Sequence, residues 1–140
     1  MADPLSITAS CVALVTAVLN TSKVVTGFIR DVREARGDLD AVSRELSSLT
    51  TILELLKEDT TEENSTLIPK TLKIQITGIL VNCTSVVSSI KYELYKPDKS
   101  RMEKIAYWTL GGGKGEMAKL RSTLEAHKTA LDIALDLLSM

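Results

Sequence analysis

Four glycines around one lysine form the stretch of this chain that comes nearest to a nucleotide-binding motif, Gly111-Gly112-Gly113-Lys114-Gly115. In a phosphate-binding loop, Ser or Thr follows the lysine and a strand precedes the glycines. Here Gly115 follows the lysine, and the residues before Gly111 predict a helix. The pattern therefore predicts a flexible connection between two helices and no phosphate site.

The other residues able to bind a metal or act as a nucleophile are isolated. His127 is the only histidine, and the two cysteines, Cys11 and Cys83, have no CxxC spacing. A metal site needs several such ligands at matching spacing. We expect a partly buried, hydrogen-bonded histidine and two buried thiols in a reducing compartment, where disulfides are rare.

No arrangement of side chains in the sequence indicates catalysis. Ser and Thr are numerous, but the sequence shows no carboxylate pair for acid–base chemistry, no nucleophile elbow and no Cys–His pattern. We predict that the protein is not an enzyme and uses no cofactor and no metal.

The composition is that of a folded domain. The chain has 140 residues, of which 44% are hydrophobic and 25% charged, so residues 1–140 suffice for one domain with its own core. The net charge of -1 and an aromatic content of 4% give no basis for nucleic-acid binding. We predict no nucleic-acid partner.

The N-terminal segment is the least charged part of the chain. Residues 4–22 carry no charged side chain, and the first cation, Lys23, follows them. A secretory signal would begin with a basic region, whereas this chain begins Met-Ala-Asp, so we predict a cytoplasmic protein. As a helix the segment would be about 28 Å long, close to the hydrocarbon thickness of a bilayer, about 30 Å.

Two interpretations of this segment remain open. It is apolar nearly all round a helix, which predicts either the central helix of a bundle or a helix that exchanges the core for a membrane. In the resting form we expect its large side chains to be buried, because exposing each would cost about 1.5–3 kcal/mol. The second interpretation assigns these residues to membrane contact: Leu5, Ile7, Val12, Leu14, Val15, Val18 and Leu19.

Signals for helix ends place the first two helices. Asp3-Pro4 predicts a helix start, since Asp can cap free amides and Pro fits the first helical position. Nothing breaks this helix outright before about Arg36, where Gly37 is expected to end it and Asp38 to cap the next helix.

Apolar residues spaced three and four apart predict the rest of the fold. The second helix is followed by a polar loop at residues 58–65. We expect a third helix at about residues 68–94, a short helix that ends at Gly111, and a last helix at residues 117–138. Four long helices and one short helix define an all-α, up-and-down helical bundle. The residues predicted to form the bundle core are Leu46, Leu49, Leu53, Leu80, Val87, Leu124 and Leu131.

Three segments of the chain, MADPLSITAS, AVSRELSSLTTILELL and LRSTLEAHKTALDIALDLL, carry a family resemblance. Together they resemble the HeLo-like N-terminal domain of fungal STAND (NOD-like receptor) proteins over essentially the whole chain. The most specific pieces are residues 3–6, residues 43–46, Trp108 before the glycines, and residues 127–138.

The resemblance implies a cell-death effector that forms the N-terminal module of a larger protein. Its implied partners are further copies of itself, an upstream NOD-like receptor or amyloid-signalling protein, and membrane lipids. On activation it would oligomerise, move from the cytoplasm to the plasma membrane and engage lipid through its N-terminal helix, residues 4–22. The alternative is a non-lytic adaptor of such a receptor, whose first helix never leaves the core.

Overall fold

The computed structural model describes residues 6–60 and 67–138, and all regular structure in these ranges is helical. Five α-helices, four long and one short, pack as a bundle, as the sequence predicts. They are α1 (Ile7–Asp31), α2 (Arg36–Asp59), α3 (Lys70–Leu94), α4 (Arg101–Thr109) and α5 (Gly113–Leu138), with a single 3-10 turn at Arg33–Ala35.

The four long helices occupy the corners of the bundle. Helix α1 packs against α2 and α3, and α5 packs against the same two helices from the opposite corner. The Thr21 hydroxyl of α1 donates to the Val87 carbonyl of α3 over 3.3 Å, midway along both helices. Between α2 and α5, Lys128 Nζ lies 2.7 Å from Glu45 Oε2. The two charged groups form an ion pair between these helices.

The core lies along the axis between these helices. The α2 seam from Leu39 to Leu56 faces inward because its leucines and valine recur every three or four residues, which keeps them on one side of the helix. The structure buries all seven residues that the sequence assigns to the bundle core, to 1% exposure or less: Leu46, Leu49, Leu53, Leu80, Val87, Leu124 and Leu131.

The ends of α1 differ from the prediction. Asp3-Pro4 lies outside the described residues, and α1 begins at Ile7, where the Ser6 side chain caps the helix by accepting from the Ala9 amide over 3.2 Å. The helix ends at Asp31 and not near Arg36.

The break falls at Val32, whose non-helical backbone and fully buried side chain lead into the 3-10 turn. Gly37 and Asp38 therefore belong to the first turn of α2, and the prediction that they separate two helices is wrong. The α1 end is stabilised from α4, since Arg101 Nε donates to the Asp31 carbonyl over 3.1 Å.

Helix α4 closes one end of the bundle. Ser100 and Glu103 form a capping box at its start, each side chain bonding the other residue's amide. Trp108 is buried beside Phe28 of α1, with ring centroids 5.8 Å apart and planes tilted by 56°. Together these contacts fix α4 against α1 and α5.

The glycines at residues 111–115 are more constrained than the predicted flexible connection. Gly112 has φ +84°, a backbone conformation that favours glycine. Gly113 opens α5, and a Cβ at this position would come within 2.6 Å of the Tyr107 ring. The sequence therefore needs glycine at these two positions to bring α5 directly against α4.

Candidate functional site

Helix α1, which contains the uncharged N-terminal segment, is an outer helix of the bundle. It contacts α2 and α3 and leaves one side in solvent. Val12 is 48% exposed and Leu19 58% exposed on that side. The interpretation of α1 as a central helix is therefore wrong, and so is the expectation that these two side chains are buried. The other exposed residues of the uncharged segment are Ala9, Ala13, Thr16 and Asn20.

The opposite side of α1 is tightly packed. Ile7, Leu14 and Val18 are at most 5% exposed, and Val15 is half-buried. Leu5 lies outside the described residues. Of the residues assigned to membrane contact, the structure thus places three in the core, one at its edge and two on the surface.

Few side-chain hydrogen bonds join the uncharged segment of α1 to the rest of the bundle. Two hydroxyl hydrogen bonds join this part of α1 to other helices in the described ranges. The Thr8 hydroxyl donates to the Thr60 carbonyl at the end of α2 over 3.2 Å, and Thr21 makes the bond to α3 described above. The segment is therefore held mainly by apolar contact.

Helices α1 and α3 are the two helices, among the residues described, that are long and apolar enough to cross a membrane by length and composition. The core helix of a soluble protein can pass the same test. The most apolar window is 28% buried in α1 and 33% buried in α3, so burial does not set the two helices apart.

Cys11 on α1 and Cys83 on α3 are free, fully buried thiols. Burial disfavours the thiolate, which raises the pKa of Cys11 to about 11 and that of Cys83 to about 12. Both cysteines are buried like small hydrophobic residues, as the sequence predicts.

We expect neither cysteine of the folded protein to react with iodoacetamide at pH 8, because the thiolate is the reactive species. Both should react once the chain is unfolded in guanidinium chloride. Mass spectrometry of the alkylated peptides measures this directly. Rapid labelling of Cys11 alone in the native state would show that α1 is not held as described.

The candidates for metal chemistry remain separate in space. The described ranges contain no group of three or more His, Cys, Asp or Glu side chains able to hold a metal ion. His127 is partly buried on α5, but its side chain makes no hydrogen bond to any described residue, so the expected bond is not found.

The fold and the site define an all-α helical bundle whose least charged helix lies at a corner with apolar side chains in solvent. The chain belongs to the family described as Pigment biosynthesis cluster protein PigL N-terminal, whose model matches residues 2–140. This is a HeLo-like helical domain family. Searches of the curated proteins and of the solved structures gave no significant match.

Proposed function

We propose that this domain is a cell-death effector that oligomerises on activation and engages a membrane through α1. The single observation that carries the proposal is the outer position of a helix whose residues 7–22 carry no charge and span about 24 Å. Val12 and Leu19 already face outward in this conformation. These two side chains can contact lipid before any rearrangement.

Release of α1 from the bundle would need an apolar environment for its inner side. Ile7, Leu14 and Val18 would each lose about 1.5–3 kcal/mol on exposure to water. A bilayer interior replaces the core for these side chains, whereas water does not. Membrane contact therefore favours the released state, and the same change uncovers α2 and α3 for contact with further copies.

In this proposal the resting protein is cytoplasmic and moves to the plasma membrane when activated. The activating partner is an upstream receptor or amyloid-signalling protein of the kind that accompanies HeLo-like domains. These assignments go beyond family membership. They all require that α1 can enter lipid.

Val12→Lys tests that requirement. Val12 is 48% exposed, so the folded bundle should tolerate the charge. It lies near the middle of residues 7–22, and a lysine near the bilayer centre costs roughly 2.5–3.5 kcal/mol, less if it snorkels. We expect unchanged thermal unfolding and clearly reduced dye leakage from vesicles containing anionic lipid.

Leu55→Lys is the matched control, because Leu55 is 46% exposed on α2, outside the proposed membrane element. It should leak dye like the parent chain. If Val12→Lys folds and leaks as well as Leu55→Lys, insertion of α1 is not the mechanism.

A second candidate function, a non-lytic adaptor, is favoured by a groove between α3 and α5. The groove encloses about 410 Å³, and Ile74, Ile133 and Leu137 on its walls are each more than half exposed. Apolar residues so arranged are typical of a protein-binding surface. In the leakage experiment this function predicts no membrane damage by the parent chain and by either variant.

A further inference from the structure

A groove with a charged rim lies at the end of the bundle that α4 closes. It is formed by the C-terminal half of α1, the end of α3 and the first turn of α4, and it encloses about 310 Å³. Its floor is apolar, and it is lined by Val24, Phe28, Leu94 and Pro97. The groove is thus suited to a ligand with an apolar part.

Cations predominate on the rim of this groove. Lys23 and Arg30 of α1, Lys96 after α3 and Lys104 of α4 line it, against the single carboxylate of Asp31. Lys104 is neutralised, because its Nζ lies 2.5 Å from Asp31 Oδ2. The other three cations form no ion pair with any described residue. The groove therefore concentrates positive charge in a chain whose net charge is -1.

Lys96 is held in position rather than freely mobile. Its Nζ lies 4.1 Å from the centroid of the Tyr107 ring, and the Tyr107 hydroxyl donates to the Glu93 carboxylate. The Tyr107 ring occupies the space that a larger residue in place of Gly113 would need for its side chain. The Lys96 ammonium therefore lies over Tyr107, at the border between this groove and the neighbouring one that Lys99 and Tyr107 line.

We propose that this groove binds the phosphate headgroup of an anionic phospholipid in a membrane surface. Lys and Arg bind phosphate by charge-assisted hydrogen bonds, and the apolar floor would contact the glycerol backbone and the first acyl methylenes. The apolar floor is the reason to assign a lipid and not a free phosphate compound. This inference rests on the membrane function proposed above.

The groove also lies at a defined position relative to the apolar segment. Lys23 ends the uncharged residues of α1 and is itself a groove residue. A phospholipid held at Lys23 would place the headgroup layer at that point of α1, with residues 7–22 on one side of it. The groove therefore brings the bundle to the surface from which α1 inserts.

Co-sedimentation with phosphatidylcholine vesicles that contain phosphatidic acid tests the groove. We expect Arg30→Gln combined with Lys96→Gln to weaken binding by about tenfold or more. The matched control combines Lys70→Gln with Lys119→Gln, two exposed lysines that line none of the grooves described. Both double variants change the net charge equally, so an equal loss would show non-specific attraction and overturn the proposal.

Chemical-shift mapping separates a lipid from a free phosphate compound. Short-chain phosphatidic acid below its micelle concentration should shift the amide signals of Val24, Phe28 and Leu94, and glycerol 3-phosphate should shift them far less. Equal affinity for the two compounds would overturn the assignment to lipid.

The two proposals fail in distinguishable ways. Groove-dependent vesicle binding without any leakage supports the groove and contradicts membrane damage by α1. Leakage with full binding by the Arg30→Gln, Lys96→Gln variant contradicts the groove and leaves the role of α1 standing.

Discussion

Leu49→Ala is expected to lower the free energy of unfolding by about 2–5 kcal/mol, the range for a leucine truncated in a packed core. Leu49 is fully buried on the inner side of α2, in contact with the other core helices through the central cluster. The loss combines the transfer free energy of the removed atoms with the cavity that they leave. Urea denaturation followed by circular dichroism measures it.

Leu55→Ala provides the control for this experiment. Leu55 lies on the same helix but is 46% exposed, so its truncation should cost less than about 1 kcal/mol. Similar losses at the two positions would mean that the assigned inner side of α2 is wrong.

The long helices and their inner sides could be predicted from the sequence. In α2 and α5 polar residues separate the apolar ones at helical spacing, so only one side of each helix can be buried. Burial at Leu53 and Leu131 follows from this pattern alone.

The ends of α1 could not be read from local signals. Glycine is a common helix terminator, yet α1 ends at Asp31, before Gly37, because tertiary packing buries the Val32 side chain and α4 satisfies the Asp31 carbonyl. Long-range contacts of this kind decide helix ends against intrinsic preference.

Which side of α1 faces solvent could not be predicted from the sequence either. When both sides of a helix are apolar, periodicity cannot say which one faces the core, and so Val12 and Leu19 were expected inside. The groove was missed because its cations are far apart in the chain. Lys23 and Lys96 meet only through the parallel packing of α1 and α3, and the one local signal was the cluster of Lys and Arg at residues 96–104.

A disulfide between positions 8 and 60 is expected to abolish membrane damage while it is intact. The Thr8 hydroxyl donates to the Thr60 carbonyl, so the variant Thr8→Cys, Thr60→Cys places one thiol at the start of α1 and another in a neighbouring residue at the end of α2. Once the two thiols are oxidised to a disulfide, α1 is covalently attached to α2 and cannot be released. The buried native thiols, with raised pKa values, should not compete for the bridge.

The oxidised and reduced forms of this one variant control for each other in sequence, charge and concentration. Thiol counting before each assay establishes which form is present. Co-sedimentation of the oxidised form shows whether the lock leaves vesicle binding intact, which we expect because α1 then stays packed and keeps its side of the groove.

Dye release from vesicles containing phosphatidic acid, measured on the oxidised variant before and after reduction, tests most directly whether α1 must leave the bundle. We expect the oxidised form to bind vesicles and release no more dye than vesicles alone, and reduction to restore release to the level of the parent chain. Equal dye release by the oxidised and reduced forms would contradict the proposed mechanism.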